Sequence, residues 1–145
     1  MTTKLLVGLD GHRSGEKVLN YAKHMAQLIG DCELVIAYVI EWSPFSFQTP
    51  EENAERHKRR EEEIETATSR IVEPAVESLK SAGVKARGIV RHGSVADVLD
   101  GIAKEENAEQ IIVCRSTEGG LASRIFGSST ATLVMNASVP VTVVN

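Results

Sequence analysis

The sequence predicts a single doubly wound α/β domain built on a five-stranded parallel sheet. Three observations predict it. Short, nearly continuous apolar runs alternate with segments of helical period along the whole chain. The connections between successive runs are long enough to hold the helical crossover that a parallel strand pair needs. No linker, internal repeat or low-complexity block interrupts the 145 residues, so one domain spans 1–145.

The elements follow in order. Lys4–Leu9 (KLLVGL) is a buried strand ended by Asp10-Gly11. From Ser14 the period becomes helical, with Val18, Ala22, Met25, Ala26 and Ile29 on one face and Gly30 as the stop. Glu33–Ile40 (ELVIAYVI) is the second strand, and the following loop carries Trp42, Phe45 and Phe47. Those aromatics fit a cover over the core, a lid over a crevice or a patch for a partner. Thr49-Pro50-Glu51-Glu52 then opens a helix, with Thr49 as N-cap, Pro50 at the first helical position and Glu52 closing a capping box. This helix runs toward Ser81, and Pro74 should kink or split it. Its charged first half, with His57 in the run Glu51–Glu63, reads as a solvated face laced with i, i+4 pairs. Lys85–Val90 is the third strand, Val95–Lys104 a helix, Gln110–Cys114 the fourth strand, about Ser123–Asn136 a helix, and Val139–Val144 the last strand.

Composition narrows the function classes. The chain is 42% hydrophobic and 25% charged, as in ordinary globular domains. A net charge of −4 gives no general attraction to nucleic acid or to an acidic membrane. No run approaches the ~20 apolar residues of a membrane span, and the start MTTKLLVGLDG does not read as a leader. Two cysteines, Cys32 and Cys114, are too few for a disulfide framework and read as reduced thiols in a cytoplasmic protein.

Chemistry in such a sheet belongs at the carboxyl ends of the strands, where strand order reverses. The residues competing for that place are Gly8–His12, Val39–Glu41, Arg91–Ser94 and Cys114–Thr117. Asp10 can cap the first helix through an Asx turn, accept a hydrogen bond from a ribose or base, or hold a magnesium ion. Arg115 and Arg124 are either solvated surface charges or donors to phosphate. A Cys114–His12 nucleophilic pair and a metal site from Asp10, His12 and His92 are both weak readings, because neither has the spacing or third partner such sites need. Neither G-x-x-x-x-G-K-[ST] nor G-x-G-x-x-G is present, and only Asp10 matches the acidic set of a receiver domain.

The whole pattern resembles a universal stress protein domain. The resemblance rests on the strand ending in Asp10-Gly11, the long charged second helix and Val90–Gly93 leading into the next helix. Its most specific part is the tail LASRIFGSS followed by ASVPVTVV. Nucleotide-binding members carry G-x-x-G, nine residues, then G-[ST]. Here those positions are Cys114, Thr117, Gly127 and Ser128, so the spacing and the last two residues are kept while the first two glycines are replaced. His12 likewise stands where a serine is usual. The resemblance implies strand order 3-2-1-4-5 and a homodimer through Val139–Val144. It also implies ATP, with magnesium accompanying it, between the first and fourth strands. Adenine and ribose would be contacted by Gly8, Leu9, Asp10 and Val39, and phosphate by the loop through Thr117 to Gly127, Ser128 and Ser129. The expectation is a small cytoplasmic stress-response protein that acts by binding rather than as an enzyme, with a weakened adenine-nucleotide site and a further protein partner. The alternatives are an ATP switch with slow hydrolysis and an interaction dimer without nucleotide.

Overall fold

Five strands form one all-parallel sheet in the order β3-β2-β1-β4-β5, as the resemblance implies. They are β1 (Thr3–Leu9), β2 (Cys32–Glu41), β3 (Lys85–Gly93), β4 (Gln110–Cys114) and β5 (Val141–Val144). The helices are α1 (Gly15–Ile29), α2 (Pro50–Ala67), α3 (Glu73–Ser81), α4 (Val95–Glu106) and α5 (Ser128–Asn136). The computed structural model describes residues 2–10, 15–41, 49–115 and 128–145.

The central strand β1 is apolar on both faces because both are covered. Leu5 and Val7 point into one cluster with Val18, Ala22, Leu34, Ile36, Val76 and Leu79, beneath α1 and α3. Leu6 joins the other, with Val35, Leu99, Ile102, Ile111, Val113 and Leu133, beneath α4 and α5. Alternate residues of one strand therefore feed opposite cores, which fixes the register.

Pro74 does split its helix, by a specific device. Between α2 and α3, Thr68–Val72 forms a single π turn in which the Glu73 N–H donates to the Thr68 carbonyl. The added residue widens the backbone just ahead of Pro74, where the ring would otherwise meet the Arg70 carbonyl and no proline N–H could bond it. The widened turn presses Val72 onto β3 opposite Gly88, where any Cβ would collide with Val72 Cγ1. The start of α2 is capped as its sequence requires: Glu52 N–H donates to Thr49 Oγ1 at 3.2 Å, and Thr49 N–H to Glu52 Oε2 at 3.0 Å. His57 pairs with Glu61 on its exposed face.

β1 and β2 differ from the sequence reading by one residue at one or both ends, and two strands depart further. β3 continues past Val90 because Arg91, His92 and Gly93 pair with Val39, Ile40 and Glu41. Arg91–Gly93 are thus sheet residues and not a crevice loop. β5 starts at Val141 and not Val139, since Pro140 has no N–H to give and only its carbonyl joins the ladder, accepting from Ile111 N–H. The stretch 123–127 of the last expected helix lies outside the described residues.

The amino end of the sheet is closed by ion pairs. Arg87 places both terminal nitrogens on Glu106 at the end of α4 and its Nε on Glu33 at 3.1 Å, while Lys4 reaches Glu106 at 3.3 Å. Arg91 makes a second fork onto Glu105. On the outer edge of α4, Asp100 accepts from both N–H and Oγ of Ser138 at 2.8 Å, and these hold its carboxyl below its usual value.

Candidate functional site

The strand order reverses between β1, which leads into α1 on one face, and β4, which leads toward α5 on the other. Gly8 pairs with Val113, so Leu9-Asp10 and Cys114-Arg115 leave the sheet side by side. The N-termini of α1 and α5 both lie at this carboxyl end, and their N–H groups give it a positive bias. A crevice for an anionic ligand follows from the topology.

The sequence-predicted residues within the described chain converge here, but they do not contribute equally. Gly8 is buried, and a Cβ on it would come within 2.9 Å of Leu99 Cδ1 and 3.1 Å of Val113 Cγ1. Its glycine is therefore required by the seating of α4. Leu9 packs its side chain into the α1-side cluster, and Val39 is 8% exposed in the opposite one. These three can offer a ligand only their backbone. Asp10 is exposed, just beyond the Leu9–Tyr38 pair of the β1–β2 ladder. Ser128 and Ser129 open α5, and Thr130 Oγ1 donates to the Cys114 carbonyl at 3.5 Å, which holds the helix start over β4. Thr117, Gly127, His12, Arg124 and the three loop aromatics lie outside the described residues.

Cys114 answers part of the question raised by its replacement of a glycine. It ends β4 opposite Val144, and among the described non-glycine residues only Asn107 has positive φ. Cys114 therefore carries no left-handed strain. Its thiol is buried in the α1-side cluster and donates to the Arg115 carbonyl at 3.2 Å. At this position the backbone does not require glycine for its conformation. Cys32 is also a buried free thiol, and burial raises its pKa.

One group at the crevice was not singled out by sequence reasoning in the role it takes, whereas Arg115 was already named as a surface charge or a phosphate donor. Glu41, the last residue of β2, reaches across the top of β1 and accepts a contact from Ser129 Oγ at 3.5 Å. Arg115 has a buried Nε with no hydrogen-bond partner among the described residues. An apolar run ending in a single carboxylate was the available signal for Glu41. For Arg115 the signal was its position directly after β4.

His92 does not join Asp10. It lies two strands away, with Nε2 at 3.0 Å from Glu63 Oε2 on α2. Among the described residues no group of three or more His, Cys, Asp or Glu is arranged to hold a metal ion, and no helix is long and apolar enough to cross a membrane. A groove of about 530 Å³ runs beside the crevice, floored by Tyr38, Ile40 and Ile71 and edged by Arg59 and Arg70 of the α2 side.

Fold and crevice together define a doubly wound α/β domain with its switch point between β1 and β4. The family profile described as universal stress protein family matches residues 1–145, and the chain belongs to that family. Among solved structures, universal stress protein UspA from Lactobacillus plantarum superposes with a TM-score of 0.81 at 18% identity, covering 99% of this chain and 97% of that one. A universal stress protein in complex with cAMP gives 0.67 at 20% identity, covering 99% and 97%. The universal stress protein from Archaeoglobus fulgidus in complex with dAMP gives 0.61 at 18% identity, covering 99% and 98%. At these identities the likeness is one of fold. No curated protein matches the sequence.

Proposed function

We propose that this protein is a cytoplasmic stress-response protein that acts by binding an adenine nucleotide in the β1–β4 crevice, without turning it over. The observation that carries this reading is the buried Arg115 Nε, directly after β4, which has no partner among the described residues. A buried guanidinium donor without a partner is costly, and a phosphate oxygen is the acceptor that best completes it. The hydroxyls of Ser128 and Ser129 and the first N–H groups of α5 supply further donors. Asp10 suits a ribose hydroxyl, and the backbones of Gly8, Leu9 and Val39 suit the base. The relatives solved with cAMP and dAMP support the adenine part. Magnesium would come with ATP, taking its remaining ligands from phosphate and water.

The reading includes a homodimer through β5. The carbonyls of Pro140 and Val144 face β4, so by alternation the N–H groups of Val141 and Val143 face outward from an open edge. Leu28, Ile29, Val134 and Met135 are exposed on the last turns of α1 and α5, the helices on either side of that strand. A Val143→Pro variant should lower the dimer fraction in sedimentation velocity, and an unchanged dimer would contradict edge pairing.

Calorimetric titration tests the nucleotide reading. ATP–Mg²⁺ and cAMP should bind the wild type, and Ser128→Ala/Ser129→Ala should weaken ATP roughly tenfold or more, as loss of two phosphate donors requires. Absence of binding by any adenine ligand would favour the empty-crevice interaction dimer.

A further inference from the structure

Glu41 occupies an unexpected place. Its carboxylate stands against Ser129, at the described amino end of α5. That is the position a phosphate oxygen would take in the function proposed above, on which this inference rests. The Ser129–Glu41 contact is 3.5 Å long, so it is readily displaced. The charge is not displaced with it. The Glu41 backbone is held by its pairing with Gly93, which tethers the carboxylate near Ser129, so an entering phosphate meets a negative charge there. Asp10, exposed at the end of the neighbouring strand, adds a second negative charge, and Arg115 supplies a positive one.

We infer that Glu41 is the specificity-determining residue of the crevice, selecting adenine ligands by the charge of their phosphates. Repulsion at an exposed site grows with each unit of ligand charge and is cut by a cation. Adenosine is indifferent to Glu41. A cyclic monophosphate, with one negative charge, is mildly disfavoured. Uncomplexed ATP, with its several charges, is disfavoured most, and Mg²⁺ restores it by neutralising the phosphates beside the carboxylate. The site therefore favours low-charge nucleotides and admits ATP as its magnesium complex. Discrimination arises here from a built-in repulsive group as much as from attractive contacts.

The test compares wild type with Glu41→Gln, an exposed and nearly isosteric change, by calorimetry with adenosine, cAMP and ATP. ATP is titrated once in chelator and once with Mg²⁺. The expected result is a gain of about tenfold for ATP in chelator, about twofold for cAMP and none for adenosine, with the ATP gain shrinking in Mg²⁺. Ser129→Ala, which removes the contact but keeps the carboxylate, should show no such charge-graded gain. Equal affinities in wild type and Glu41→Gln for uncomplexed ATP would overturn the inference, as would a gain of the same size for adenosine. If adenosine, cAMP and ATP all fail to bind both forms, the nucleotide reading itself falls and this inference with it.

Discussion

The two ends of the sheet are built on opposite principles. At the amino end the charges are matched: Glu106 takes both Arg87 and Lys4, and Arg87 also satisfies Glu33. At the carboxyl end a guanidinium nitrogen is buried without a partner among the described residues, and the Glu41 carboxylate meets Ser129 of α5 on one long contact. The same backbone topology produces both ends. What differs is how far the polar groups are satisfied by the chain itself. Among the described residues the amino end is complete and serves stability, whereas the carboxyl end holds the polar groups that the proposed function assigns to a ligand.

The largest effect should come from a site that belongs to neither end. Gly88→Ala forces a methyl group into Val72 and should lower stability by about 3 kcal/mol, read as a shift in the urea midpoint. Because the strain lies at the π turn, adenine-ligand affinity in the folded fraction should be unchanged.

Arg87→Ala attacks the amino end and should cost about 1–2 kcal/mol, discounted for the partial exposure of the pair. It should also change the response to acid. The Arg87 hydrogen bond holds the Glu106 carboxyl below its ordinary value of 4.5, against the opposing effect of burial. A lowered carboxylate pKa contributes stability that is fully present above the unfolded value and is lost as pH falls through the folded one. The wild type should therefore lose stability below about pH 4.5 more steeply than Arg87→Ala. Parallel acid-unfolding curves would break the assignment of stability to this end.

Arg115→Gln attacks the carboxyl end. It should weaken nucleotide binding by roughly tenfold while leaving the unfolding midpoint nearly unchanged or slightly raised, since a buried donor nitrogen without a partner among the described residues is removed. A large loss of stability with unaltered affinity would make Arg115 a structural residue. The smallest effect is expected at the α2 cap, where Thr49→Ala should cost about 1 kcal/mol and leave both ends of the sheet as they are.

How much of this was legible in the sequence depends on the range of the interaction. Buried strands and the Thr49 cap are local patterns, so the runs KLLVGL and ELVIAYVI and the box Thr49–Glu52 could be read directly. Pro74 announced a break, but a π turn in place of a kink depends on Gly88 of β3 leaving room for Val72. The overrun of β3 to Gly93 was hidden because pairing with the long β2, and not side-chain character, carries it. At the site, the family resemblance pointed to Asp10, Ser128 and Ser129, which stand after β1 and at the described start of α5. The Glu41–Ser129 contact spans 88 residues and exists only because β2 and β4 flank β1. The mildness of Cys114 in place of glycine was equally unreadable, because it depends on the φ of that residue and on which core receives its thiol.

The direct test of the central claim is a backbone amide NMR titration of the protein with ATP–Mg²⁺. Binding at the open end predicts shifts concentrated at Gly8–Asp10, Val39–Glu41, Arg115 and Ser128–Thr130, with Lys4, Arg87 and Glu106 unmoved. Shifts gathered at the amino end or along β5, with the crevice amides silent, would contradict it.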